Sequence, residues 1–351
     1  MKYGILTYHN IPNIGAILQA QALCEFIRAR GFDCDIVDYT CDNIVKRELE
    51  FHPLSNPLRN CLSKYYWRKT EKKIVRCNKY IRSLHLLSAR KYNRNTISEA
   101  NKVYDAFISG SDMIWNLNVN GDDYSYFLDF AKSDKIKLAF ASSIGAKWTD
   151  EELQKVLPLL KRYHSISVRE KSTNENIKAL GISSSHLCDP TLLIEPAKWK
   201  SIAKPLPIKK YVLVYFPTKE LIKKAEQYAK SHSLAVVIIS QGIPTFGVKK
   251  VWPKDPPEWL GLFLNADAVF TNSFHGILFS FYFEKQVWTA NYGNRITSIL
   301  ESLNLPNCRL DIDKNLTNSI DYKHCRERLF QIREKSQEYI VKTLAQIKVK
   351  K

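Results

Sequence analysis

Along most of this chain, short apolar runs alternate with amphipathic stretches. Residues 2–8 form a run rich in β-branched and aromatic side chains. Beyond Gly15, the positions Ile17, Leu18, Ala20, Ala22, Leu23, Phe26 and Ile27 recur at helical spacing until Gly31, and residues 34–37 make a second apolar run. Strand, helix, strand in that order predicts a βαβ unit, the seed of a parallel sheet. The alternation resumes with strands expected at 103–109, 137–142, 165–168 and 185–188 and helices at 150–163 and 172–180, the last stopped by Gly181. Residues 196–209 carry Pro196, Pro205 and Pro207 among lysines, which suits a linker. Beyond it, strands are expected at 211–216, 235–240, 268–271 and 286–289, with helices at 219–231, 257–264, 274–283 and 296–303. From Asp321 onward the chain reads as a charged helix with Leu329, Ile332, Tyr339, Ile340, Leu344 and Ile347 on one side.

The expected fold is therefore α/β with two Rossmann-like lobes, over residues 1–197 and 198–320, and a terminal helix over 321–351 that packs back across them. Residues 41–100 break the pattern. They hold 14 Lys and Arg against 5 Asp and Glu, interleaved with apolar residues at helical spacing, and are expected to form a basic helical insertion in the first lobe. At 351 residues the chain exceeds what one core usually organises, in keeping with two domains.

Charge narrows the function. With 53 Lys and Arg against 35 Asp and Glu, the net charge of +18 predicts an acidic partner: nucleic acid, anionic lipid, or a phosphorylated or carboxylated substrate. No helix-turn-helix, zinc finger or RNP-like strand is recognisable, so a nucleic-acid-binding role ranks last and no nucleic-acid partner is expected. The cysteines at 24, 34, 41, 61, 77, 188, 308 and 325 show no CxxC spacing and no adjacent His cluster, so neither zinc nor a redox dithiol is expected, and no metal site. The opening MKYGILTYHN lacks an apolar stretch of signal-peptide length, and no segment approaches the roughly 20 apolar residues of a membrane span, which predicts a cytoplasmic protein.

In open parallel sheets, ligands sit beyond the carboxyl ends of the strands, where helix N-termini offer free amide hydrogens to anions. Four segments end a strand that way. In the first, 8–15, Asn13 and Gly15 allow close backbone approach, or simply form a capped turn. In the second, Gly110 and Ser111 can cradle a phosphate or sugar hydroxyl, Asp112 can act as a base, and Trp115 offers a face for a sugar ring; a capped helix start with a core Trp is the alternative. The third places Arg169 at a strand end, suited to bidentate contact with phosphate or carboxylate, or to pairing with Glu170 or Asp189. The fourth, 270–276, runs a strand into a polar turn with His275 one step before Gly276, where an imidazole can donate to phosphate or transfer a proton.

These segments, in this order, resemble the polysaccharide pyruvyl transferase family: Asn13-Ile14-Gly15-Ala16 with Leu18-Gln19-Ala20, Gly110-Ser111-Asp112 with Trp115, Ser142-Ser143-Ile144-Gly145, Val168-Arg169-Glu170, Asp189-Pro190-Thr191-Leu192-Leu193 and Thr271-Asn272-Ser273-Phe274-His275-Gly276. The resemblance implies a glycosyltransferase-B-like fold and transfer of the enolpyruvyl part of phosphoenolpyruvate onto sugar hydroxyls as a pyruvate ketal, with phosphoenolpyruvate as donor substrate and no cofactor. It implies that Arg169 and His275 hold the donor's phosphate and carboxylate. Some members carry Arg where this chain has Ser273, so a second cationic contact is assigned to Arg295. His275 is then the expected general acid and Asp112 the candidate for activating the hydroxyl. The scheme requires Arg169 and His275 to converge on one anion. A sugar acceptor, lipid-linked in capsular or surface polysaccharide assembly, gives the basic insertion a use, since residues 62–69 mix aromatics with cations as a helix on an anionic membrane surface does. The competing readings are a solvated basic helix whose aromatics pack on the first lobe and, for the enzyme, a nucleotide-sugar-dependent glycosyltransferase of the same fold.

Overall fold

Runs such as AFIS and IKLAFAS are apolar on both faces, as strands covered on both sides by helices must be. In the computed structural model, which describes residues 1–239 and 249–349, they lie inside a seven-stranded parallel sheet. Its strands are β1 (Lys2–Leu6), β2 (Asp33–Thr40), β3 (Leu87–Asn93), β4 (Ala106–Ser109), β5 (Ile136–Ser142), β6 (Ser165–Val168) and β7 (Ser185–His186). They are ordered β3-β2-β1-β4-β5-β6-β7, so the winding reverses between β1 and β4. Register follows the buried positions: Gly4 faces Asp35 on one side and Phe107 on the other.

The second sheet has five parallel strands, β8 (Tyr211–Tyr215), β9 (Ala235–Ile239), β10 (Lys249–Val251), β11 (Ala268–Thr271) and β12 (Gln286–Trp288), ordered β10-β9-β8-β11-β12. Its reversal lies between β8 and β11. Each sheet supports its own compact unit: residues 1–50, 77–194 and 331–351 form one, residues 51–76 and 195–330 the other. The first unit buries Leu6, Val37, Phe107, Ala139 and Val168 along its strands, the second Val212, Val214, Ile238, Phe270 and Trp288.

Several local outcomes differ from the sequence pattern. The expected linker begins with a helix, Pro196–Ile202: proline suits the first helical turn, where its missing N–H has no partner to lose, and the fully buried Trp199 anchors the helix. Strand β3 was hidden within the basic stretch because its sequence, LSARKYN, is charged; among the described residues it pairs with β2 alone, and an edge strand tolerates charge. The basic helix runs Pro57–Ser83, with residues to Arg76 counted in the second unit and the remainder in the first. Likewise the terminal helix Tyr322–Val349 gives its residues up to Phe330 to the second unit and the rest to the first. The strand expected over 235–240 is seen as Ala235–Ile239; its last position, Ser240, lies outside the described residues.

Candidate functional site

At the reversal of the first sheet, the segments after β1 and β4 are sewn together. Thr7 Oγ1 donates to the Ser111 carbonyl at 2.9 Å, and Gln19 Nε2 donates to Thr7 Oγ1 at 2.8 Å and to the Ala16 carbonyl at 2.8 Å. Gly110 is required by this approach, since a Cβ there would sit 2.8 Å from Thr7 Cβ. Asn13 caps helix Ile14–Ala29 through its backbone and not its side chain, which is exposed, while Gly15 is buried in the first turn. Ser111 is fully buried and its hydroxyl donates to the Ala141 carbonyl at 2.7 Å.

Asp112 follows in the left-handed region at φ +69°, a conformation that asparagine and aspartate tolerate better than other side-chain-bearing residues. Its carboxylate accepts from the Met113 amide at 2.9 Å and lies 3.9 Å from Arg169 Nη2. Arg169, directly after β6, is buried. Its Nη1 donates to Asp189 Oδ2 at 2.9 Å and its Nε to Glu170 Oε1 at 3.2 Å. Glu170 also accepts from Ser143 Oγ at 2.6 Å, and Asp189 from the Thr191 amide at 3.0 Å and hydroxyl at 2.7 Å. Burial alone would lower the guanidinium pKa, but the carboxylates of Glu170, Asp189 and Asp112 together hold it above its ordinary value. Three carboxylates thus surround one cation. Gly110, Ser111, Asp112 and Arg169 are brought together, and the pairing of Arg169 with Glu170 and Asp189 is the contact seen.

Trp115 corrects an expectation. It is fully buried, stacked on Phe127 at 5.6 Å and flanked by Trp148 and Tyr163, with its Nε1 donating to the Tyr126 carbonyl. No face is left for a sugar ring; the indole belongs to the core. A second buried polar group beside the same strand end escaped the sequence reading. His9 places Nδ1 3.1 Å from the Thr7 carbonyl and Nε2 3.3 Å from Asp38 Oδ1, while Arg82 Nη2 donates to Asp38 Oδ2 at 2.9 Å. Although burial works against ionisation, hydrogen bonds from His9 and Arg82 hold the Asp38 carboxyl below its usual range. The three residues are far apart in sequence, so only their types were visible.

In the second unit the end of β11 carries Asn272, Ser273 and His275 beside the end of β8. Ser273 caps helix Phe274–Tyr282, its Oγ accepting from the Gly276 amide at 3.3 Å, and His275 is buried in the first turn. Gly276 admits no side chain: a Cβ would meet Thr271 Oγ1 at 2.5 Å and Tyr215 Cδ1 at 3.2 Å. Asn272 brackets three strand ends. Its Nδ2 donates to the Phe216 carbonyl after β8 at 3.1 Å; its Oδ1 accepts from the Ala290 amide after β12 at 3.0 Å; and its own carbonyl accepts from Asn291 Nδ2 at 3.0 Å. Arg295, half-buried, stands in the first turn of the following helix, Asn294–Ser302. Arg169 belongs to the first unit, and Ser273, His275 and Arg295 to the second.

Two aromatics of the basic helix pack within the second unit. Tyr66 and Trp67 are half-buried: Tyr66 stacks on Trp252 at 6.1 Å, Trp67 meets Phe51 at 6.2 Å, and Lys69 Nζ lies 4.1 Å over the Trp252 ring. These partners belong to the second unit, not the first. Leu58, 84% exposed, and Tyr65, 57% exposed, remain at the surface. Among the described residues no helix is long and apolar enough to cross a membrane.

Two parallel, doubly wound units with polar strand-end turns at each reversal define a glycosyltransferase-B-like α/β protein. Solved structures of that fold resemble this chain over nearly its whole length. A Listeria monocytogenes protein assigned as a UDP-N-acetylglucosamine 2-epimerase matches with a TM-score of 0.58 at 11% identity, covering 100% of this chain and 98% of that one. The UDP-GlcNAc 2-epimerase of Methanocaldococcus jannaschii matches at 0.53 with 13% identity, covering 98% and 99%. The S. aureus MnaA–UDP structure matches at 0.54 with 12% identity, covering 97% and 95%. At such identities the likeness concerns the fold alone. No curated protein matches the chain by sequence. The sequence profile of polysaccharide pyruvyl transferase matches residues 13–294, and the chain belongs to that family.

Proposed function

We propose that the protein transfers the enolpyruvyl group of phosphoenolpyruvate to a sugar and closes it as a pyruvate ketal. The observation that carries the reading is the family match over residues 13–294, which contains the strand-end turns bearing Gly110, Asp112, Arg169, Ser273 and His275. In the reaction one sugar hydroxyl adds to the enol carbon, a proton goes to the methylene carbon, phosphate departs, and a second hydroxyl of the same sugar closes the ring, its proton leaving with the phosphate. His275, held in the first turn after β11, supplies the proton or a hydrogen bond to phosphate, and Ser273 and Arg295 join it in holding the donor. Asp112 accepts the hydroxyl proton. Arg169 serves in two ways: it neutralises the Glu170–Asp189 cluster, and its Nη2 lies on the Asp112 side, where it orients that carboxylate and meets the donor's negative charge.

The test is phosphate release from phosphoenolpyruvate in the presence of galactose- and mannose-terminated acceptors. Release that depends on the sugar supports the reading, and its absence across the panel ends it. Thermal shifts with phosphoenolpyruvate against UDP- and GDP-sugars separate it from nucleotide-sugar-dependent glycosyl transfer, because only the bound ligand raises the melting temperature.

The exposed Leu58 and Tyr65 on a helix that also carries Arg59, Lys64, Arg68 and Lys72 favour contact with an anionic membrane surface, where a lipid-linked acceptor resides. Co-sedimentation with phosphatidylglycerol vesicles at low salt is the expected result, and a protein that stays in the supernatant removes this part of the proposal.

A further inference from the structure

Two exposed aromatics of the second unit, Phe216 and Tyr292, stand in loops at the carboxyl ends of its strands. Phe216 follows β8 directly, is 55% exposed, and is held in the left-handed region at φ +54°. A bulky side chain is strained there, and such strain persists only where surrounding structure imposes it. The imposing group is Asn272, whose Nδ2 grips the Phe216 carbonyl at 3.1 Å, while the Asn272 amide donates to the Tyr215 carbonyl at 3.2 Å. The Phe216 ring meets Tyr215 edge to face at 4.8 Å, and about half of the residue is exposed.

The same asparagine holds the opposite flank. Its bonds to Ala290 and Asn291 fix the loop after β12, whose next residue is Tyr292, 40% exposed, with the Arg309 guanidinium 4.7 Å from its ring centroid. The sheet order β8-β11-β12 sets the loops after β8 and β12 on either side of β11. One aromatic therefore stands on each side of the β11 turn that bears Ser273 and His275.

We propose that Phe216 and Tyr292 form an aromatic rim that binds the pyranose rings of the acceptor glycan beside His275. Pyranoses present flat patches of C–H groups, which stack on the electron-rich faces of aromatic rings, and their rims carry the hydroxyls that must reach a strand-end turn to react. Rigid aromatics lose little conformational freedom on binding, and here Asn272 holds the Phe216 carbonyl and the two residues before Tyr292. The rim supplies the sugar-stacking surface that the buried Trp115 cannot. The proposal rests on the pyruvyl transfer reading and names the part of the second unit that selects its acceptor.

The experiment uses the full chain with saturating phosphoenolpyruvate and a galactose-terminated oligosaccharide, comparing wild type with Phe216→Ala, Phe216→Tyr, Tyr292→Ala and, as a control on an unrelated exposed aromatic, Phe330→Ala. Phe216→Ala and Tyr292→Ala are expected to raise the acceptor KM about five- to tenfold, leaving the phosphoenolpyruvate KM unchanged. Phe216→Tyr and Phe330→Ala are expected to match wild type. Unchanged acceptor KM in both alanine variants overturns the rim while leaving pyruvyl transfer intact, and so does a rise confined to the donor KM. If wild type releases no phosphate with any acceptor, the functional reading fails instead. Calorimetric binding of the same oligosaccharide then decides the rim: weaker binding to Phe216→Ala supports it, and equal binding, or UDP binding lost in its place, overturns it.

Discussion

Replacing Arg169 by methionine separates two roles that its position allows. The guanidinium is buried among Asp189 at 2.9 Å, Glu170 at 3.2 Å and Asp112 at 3.9 Å. Methionine keeps much of the volume but leaves these buried carboxylates without their cation, and removing one partner of a buried pair typically costs about 3–5 kcal/mol. For a unit of this size that is roughly a 10 °C fall in melting temperature. The loss has a pH signature. Without Arg169 the clustered carboxylates repel one another, so their folded pKa values rise above the unfolded ones. The variant should then regain stability as pH falls and the cluster takes up protons, and lose it as pH rises. Arg169→Lys keeps the charge but not the planar fork and should fall between the two. The assay is thermal denaturation of wild type and both variants between pH 5 and 8, with phosphate release measured on the same samples. Should Arg169→Met melt within about 2 °C of wild type at pH 8 yet lose activity, the cluster is not held by this cation. Arg169 would then act as a ligand contact only.

Gly276→Ala brings a Cβ to within 2.5 Å of Thr271 Oγ1, so the first turn carrying His275 must shift; turnover is expected to fall at least tenfold for a stability cost of about 1–3 kcal/mol, read from kcat and melting temperature. Trp115→Ala should destabilise the first unit by about 3–5 kcal/mol in denaturant titration, whereas an unchanged midpoint would contradict its place in the core. Asp313 accepts from Trp288 Nε1 at 2.9 Å and from the amides of Asn318 at 2.8 Å and Thr317 at 3.0 Å. Although burial opposes ionisation, these bonds hold its carboxyl below the usual range. Its contribution is therefore complete above the unfolded value near 4 and lost as pH falls through the folded one. Asp313→Asn should lower stability by about 1–3 kcal/mol at pH 7 and flatten the acid limb of the stability curve, and a parallel acid limb would refute the assignment.

Local pattern made most of the architecture legible. Alternating apolar runs and amphipathic stretches report which segments are buried on both faces and which on one, and those two periods separate strand from helix without reference to distant residues. They placed ten of the twelve strands among the described residues, and with them the turns bearing Gly110, Asp112, Arg169 and His275 at strand ends. The two missed strands, β3 and β10, are edge strands, where one-sided pairing lets lysine and arginine replace the apolar signal. Partners across the fold were another matter. The sequence left open whether Arg169 pairs with Asp189 and whether Trp115 belongs to the core, and gave no sign that His9 meets Asp38 or that Asn272 ties Phe216 to the loop before Tyr292; all of these depend on strand order. Strand order is decided by how helices and sheets bury area together, a global balance that leaves no trace in the spacing of any one segment. The chain by itself thus determined which residues stand at strand ends; only the tertiary structure decided which of them are spent on one another.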